Sequence, residues 1–142
     1  MSNIKPLFEK AIKAHQQNDF ELAKKLYHEI LILEPNHIDS LHLLGVIYGQ
    51  QEKNSESVTF LEKAIKLNPN NPVFLNNYAE ALKRNGELEK SLVTFNRCIS
   101  IEPKFIDAYA NRANVLKELH RYNEAHQDYL KAINGNPNNF KY

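Results

Sequence analysis

Six histidines (His15, His28, His37, His42, His120 and His126) and one cysteine, Cys98, are the side chains of this 142-residue chain best suited to holding a metal or attacking a substrate. A helical zinc pair needs two histidines at i and i+4, and no two of these stand so. The chain also lacks H-E-x-x-H, C-x-x-C, a glycine-rich phosphate loop and a nucleophile elbow. It is therefore not expected to be an enzyme, and no catalytic residue, cofactor or metal is assigned. Seven tyrosines and seven phenylalanines could stack bases, but the formal net charge of +1 offers too few phosphate contacts, so no nucleic acid is expected. What remains is amide chemistry. Asn77 and Asn111 recur at equivalent places in the chain, and an asparagine side chain donates and accepts at once. A ladder of them grips the backbone of an extended peptide whatever its side chains, each bond contributing a net ~0.5–1.5 kcal/mol. Around them lie Asn76, Glu80, Lys83 and Arg84, and then Asp107, Asn114, Lys117 and Glu118. The equivalent positions earlier in the chain hold Phe8, Ile12, Leu43 and Val46. That end of a binding face suits an apolar segment or an amphipathic helix, unless local packing shields it.

Such a face needs regularly spaced helices behind it. Pro35, Pro69, Pro103 and Pro137 are evenly spaced, at a period of about 34 residues, and they set four blocks, 4–37, 38–71, 72–105 and 106–139. In register, Leu7, Leu41, Leu75 and Tyr109 form one column, and Ala11, Gly45, Ala79 and Ala113 another. Ala23, Ser57, Ser91 and Ala125 align next, then Tyr27, Leu61, Phe95 and Tyr129, then Ile30, Ala64, Cys98 and Ala132. Each block shows two runs with apolar residues three or four apart, so each is a helix pair. Asn71 with Pro72 behind it, and Asn18 or Asp19 before Phe20, mark helix starts. The prolines mark ends, because proline forces the residue before it out of α geometry. The aromatic columns and Cys98 read as core.

These columns resemble the tetratricopeptide repeat, W-x₂-L-G-x₂-Y, then A-x₃-F, then P, best matched by Leu41, Leu44, Gly45, Tyr48, Ala64 and Pro69. The resemblance covers 4–139; no block has the tryptophan, and Lys10 and Arg112 replace a large apolar residue. It implies an all-α, right-handed superhelical α-solenoid of four helix-turn-helix repeats, forming a single domain over 4–139 with first helices lining a concave groove. The implied function is a protein-interaction scaffold that binds peptide segments or partner proteins in that groove. The third and fourth repeats also resemble those of O-linked N-acetylglucosamine transferase, whose equivalent asparagines hold peptide backbones. Asn77 and Asn111 match, whereas Glu9 and Leu43 do not. The alternative is thus an N-terminal recruitment domain of a larger enzyme such as a glycosyltransferase. A chaperone-type carboxylate clamp is not expected, since Phe8, Ile12, Leu43, Val73 and Asn77 fill its slots.

No apolar run reaches the ~20 residues of a membrane span, and no signal peptide is evident, so a cytoplasmic protein without a membrane partner is expected. Residues 140–142 read as a truncated fifth repeat or tail, with Gly135 capping the last helix. Tyr129, Ile133, Phe140 and Tyr142 are then expected to lie uncovered and to favour a homodimer through that end, or cover by a further repeat.

Overall fold

The computed structural model describes residues 4–135, and these form eight α-helices and no strand. The helices are α1 Ile4–Gln16, α2 Phe20–Leu33, α3 Ile38–Gln50, α4 Asn54–Leu67, α5 Pro72–Arg84, α6 Leu88–Ile101, α7 Ile106–Glu118 and α8 Tyr122–Gly135. Contacts divide the chain into two compact units, Met1–Asn68 with α1–α4 and Pro69–Tyr142 with α5–α8. Within each unit, consecutive helices pair as antiparallel hairpins, and the second helix of one hairpin packs on the first helix of the next. Among the described residues no helix is long and apolar enough to cross a membrane.

The hairpin turns repeat as regularly as the prolines. Asn18, Glu52 and His120 all have φ of 61°, and Gly86 has φ of 84°; these four positions fall at the same place in successive repeats. In each turn a backbone N–H reaches back five residues to the helix: Asp19 to Ala14, Lys53 to Tyr48, Glu87 to Leu82 and Arg121 to Leu116, at 2.8–2.9 Å. This is the left-handed C-terminal motif that satisfies the last helical carbonyls. Only Gly86 adopts it without steric cost.

Helix starts follow the sequence in part. Asp19 accepts from Leu22 N–H at 3.3 Å and Asn71 from Phe74 N–H at 3.1 Å, with Pro72 in the first turn. His37 caps α3 through its ring Nδ1, which faces Ser40 N–H at 3.3 Å. The second helices end at Glu34, Asn68 and Glu102, whose φ of −141°, −140° and −133° are those of extended backbone ahead of Pro35, Pro69 and Pro103. Pro137 lies outside the described residues.

Small residues set how closely helices approach. A Cβ on Gly45 would sit 2.7 Å from Leu61 Cγ, so α3 and α4 meet there only because the position is glycine. Ser57 Oγ donates to Gly45 O at 2.8 Å, and Ser91 Oγ repeats the bond to Ala79 O at 2.7 Å, both fully buried. Tyr27 and Phe95 are wholly buried, as their columns require, and Tyr78 and Tyr109 nearly so. Cys98 is buried too: its thiol donates to Pro72 O at 3.3 Å, and burial pushes its pKa up to about 11. Gly135 departs from expectation. It belongs to α8 rather than following it, and a Cβ there would lie 2.5 Å from Ile106 Cδ1; the residue is small so that the end of α8 can lie on the start of α7.

Candidate functional site

In the second unit the first helices of its two hairpins, α5 and α7, lie side by side and bring the expected polar residues together. Asn111 Nδ2 donates to Asn76 Oδ1 at 3.1 Å, and Lys83 Nζ lies 3.6 Å from Glu118 Oε1, so two polar ties join α5 to α7 along one face. Asn77, Glu80 and Asn114 are half-buried on these helices, while Arg84, Asp107 and Lys117 are exposed. Asn76 is placed differently from an open peptide contact: only 7% exposed, it accepts from Asn111 Nδ2 and so ties the Asn111 amide, itself half-buried, to α5. Asn114 Oδ1 accepts a short bond from Tyr129 of α8. This face thus carries half-buried amides at Asn77, Asn111 and Asn114, flanked by charges of both signs.

Tyr129 is accordingly half-buried and tied to α7, not an open patch residue. Ile133 is 41% exposed and its neighbour Leu130 45%. Phe140 and Tyr142 lie outside the described residues.

The apolar positions of the first unit are partly covered. Phe8 meets His37 edge-on at 5.1 Å between ring centroids and Tyr27 at 6.3 Å, and with Leu43 it packs against the core of that unit. Ile12 and Val46 are half-buried. Local packing thus takes up part of this surface, the other course left open by the sequence.

Each unit also holds a junction that sequence reasoning missed. Where α2 meets the α3/α4 hairpin, Tyr48 and Phe60 stack at 5.5 Å and 11°, and His28 closes the edge with its Nε2 3.2 Å from Tyr48 Oη. Burial, with Lys24 nearby, holds His28 below the usual histidine pKa. In the second unit the positions of His28 and Phe60 are taken by the polar Asn96 and Asp128, that of Tyr48 by the buried Leu116, and the slot of Leu44 by Arg112. Arg112 Nε and Nη2 each donate to one oxygen of Asp128 at 2.7 Å, and its Nη1 donates to Asn96 at 3.1 Å. Asp128 stands where Phe60 stands in the second repeat, and the smaller side chain leaves a cavity of about 170 Å³ beside it. Arg121 and Glu124 at its mouth form a second bidentate pair at 2.8–2.9 Å, so the cavity carries its own neutralising charges. Asp128 takes Arg112 above the ordinary arginine pKa, the hydrogen bond being the largest cause. The signal available in sequence was a charge, Arg112, at the slot that Leu44 and Tyr78 fill in the two preceding repeats, answered on the next helix by Asp128.

His42 is the other hidden group. It is 7% exposed in α3, and burial drives its pKa down to about 4 against a smaller opposing pull from Asp39. No group of three or more histidine, cysteine or carboxylate side chains is placed to hold a metal among the described residues.

Comparison with known proteins gives a consistent result. Family models described as tetratricopeptide repeat match residues 38–71, 60–92 and 94–127. Hsp70-Hsp90 organizing protein 2 of Arabidopsis thaliana is 27% identical over 139 residues, covering 93% of this chain and 24% of its own length. The UDP-N-acetylglucosamine--peptide N-acetylglucosaminyltransferase of Giardia intestinalis is 25% identical over 120 residues, covering 84% of this chain and 8% of its own. The solved structure of MamA 41-end from Desulfovibrio magneticus RS-1 superposes with a TM-score of 0.90 at 16% identity, over 98% of this chain and 78% of that one. The chain spans about a quarter of the length of the first of these relatives.

Proposed function

Since this chain belongs to the tetratricopeptide repeat family, we propose that it is a protein-interaction module that holds an extended peptide segment of a partner protein on the α5–α7 face. The observation that carries the reading is the Asn111–Asn76 amide bond together with the Lys83–Glu118 tie. Side chains locked before a ligand arrives lose less freedom on binding. Asn77 and Asn111 are then the amides that meet the peptide backbone, with Asp107, Asn114, Lys117, Glu80, Lys83 and Arg84 at the rim. Phe8, Ile12, Leu43 and Val46 offer a separate, more apolar surface in the first unit. The four blocks acting as one domain over 4–139, in the cytoplasm, belong to the same reading; the single cysteine fits a reducing compartment. Screening a peptide library against the chain and against Asn77→Ala/Asn111→Ala tests it. Capture should fall about tenfold at a temperature where circular dichroism shows the variant folded, taking each lost amide bond at roughly 0.5–1.5 kcal/mol. Equal capture by the double variant defeats the proposal.

A second reading has its own support in the likeness to the Giardia transferase, of which the matched part is a small fraction. In it the same face recruits substrate proteins to an enzymatic domain carried on the same polypeptide. Measuring the mass of the native polypeptide with an antibody raised against residues 4–135 separates the two readings. Among the described residues, self-association through α8 rests on Ile133, Leu130 and Tyr122 as its exposed large apolar side chains, and sedimentation as a monomer at high concentration excludes it.

A further inference from the structure

The edge of the first unit formed by α1 and α2 carries a groove of about 340 Å³ lined by Lys10, Lys13, Ala14, Gln17, Leu22 and Leu26. One repeat further on, the same slots hold Leu44, Ile47, Tyr48, Gln51, Glu56 and Phe60, and there a helix packs over the seat, with Glu56 staying exposed. That helix is α2: Lys24 Nζ donates to Gln51 Oε1 at 2.9 Å, and the ring of His28 lies 5.8 Å from that of Phe60. Leu44 and Ile47 are left with no exposure at all. The fold of this chain therefore uses that groove as a seat for an amphipathic helix.

On the α1–α2 edge the seat keeps its apolar floor but changes its rim. Ala14 and Leu26 lie at 3% and 7% exposure, and Leu22 stands open at 44%. Lys10 and Lys13 replace the buried Leu44 and Ile47, both are exposed, and neither has an ion-pair partner among the described residues. A rim built only to be solvated has no use for an exposed leucine over an apolar floor, and two unpaired ammonium groups one helical turn apart on α1 favour carboxylates opposite them. We propose that this groove seats an amphipathic helix of a partner protein, whose apolar stripe covers Leu22 and Leu26 and whose acidic residues meet Lys10 and Lys13. This surface is separate from the α5–α7 face and does not depend on peptide capture there.

The probe is a stapled helical peptide with the sequence of residues 20–33, the chain's own occupant of the equivalent seat, carrying Lys24→Glu and His28→Glu, whose side chains in that seat lie beside Gln51 and Tyr48, the slots of Gln17 and Ala14 one helical turn from Lys13 and Lys10. Anisotropy titration with the full chain should show saturable binding that weakens roughly tenfold in K10E/K13E and at high salt. Leu22→Ser should weaken it with the lysines intact, and Asn77→Ala/Asn111→Ala should leave it unchanged. Absence of saturable binding overturns the proposal. Equal binding to K10E/K13E overturns it too, since a peptide that merely exchanged with α2 would ignore those two lysines.

Discussion

Removing one partner of the Arg112–Asp128 pair should cost far more than removing both. Asp128→Ala leaves a guanidinium, with its side chain only 21% exposed, holding a single hydrogen bond to Asn96 and facing the cavity beside α8. Breaking a buried pair from one side costs ~3–5 kcal/mol, and the residual solvent contact of Arg112 sets the expectation near ~3 kcal/mol. That is a factor of roughly 150 in the folding equilibrium of the second unit, since about 1.4 kcal/mol is tenfold. Arg112→Leu with Asp128→Phe installs the residues that the second repeat carries at these slots, Leu44 and Phe60. It removes both charges and fills part of the cavity, so it should recover most of the loss. Urea denaturation read by circular dichroism gives the free energies of the two single variants and the double. Hydrogen exchange along α7 and α8 shows that the weakened segment is the one joined by the pair. A cost for Asp128→Ala below about 1 kcal/mol, the level of a surface pair, or a double variant no more stable than the single, would refute the reasoning.

Three further outcomes are expected. The pKa of His42 lies at about 4 in the fold against 6.5 for an ordinary histidine, so the unfolded chain takes up its proton first as pH falls. The stability held by neutral His42 is fully present above 6.5 and lost between 6.5 and 4, amounting to about 3 kcal/mol at the acid end. His42→Leu should flatten the stability profile in that window, as measured by denaturant midpoints at stepped pH. Gly45→Ala forces a methyl to within 2.7 Å of Leu61 Cγ and 3.2 Å of its backbone nitrogen, and should destabilise the first unit by ~1–3 kcal/mol in the same assay. Glu52→Gly and His120→Gly release left-handed residues from a cost of ~1–2 kcal/mol, offset by greater freedom of the unfolded chain, and should each raise stability by about 0.5 kcal/mol on thermal melting.

The sequence carried the helices because its period is a property of single columns. Leu41, Gly45, Ala64 and Pro69 each state their role alone, and Asn71 and Asp19 belong to residue types whose side-chain oxygens cap helices. His37 caps by a ring nitrogen, outside that habit, so only the structure finds it. The polar face was readable as positions: Asn77 and Asn111 share a slot in consecutive repeats. That Asn76 turns inward to hold Asn111 was not readable, because it depends on how α5 and α7 lie against each other. Asp128 was hidden for the same reason. Its meaning comes from Arg112 on a neighbouring helix, while its own column and spacing describe only an ordinary helical carboxylate. Gly135 misled because glycine near a helix end has two uses, and contact with Ile106, not backbone freedom, explains this one.

The two junctions, one aromatic and one ionic, have a consequence for how such an array changes over generations. Tandem repeats of equal length invite unequal recombination, which deletes or duplicates whole blocks and leaves the helical period intact. Here the blocks are not interchangeable. Deleting the two middle repeats would set α2 against α7 and bring His28, already held below its usual pKa by burial and Lys24, into the slot from which Asn96 supports Arg112. An accepting amide would give way to a ring next to a guanidinium, and Tyr48 would be gone. Within each unit the second repeat so carries chemistry addressed to the first, and the order of each pair is written in its contacts as well as in its sequence.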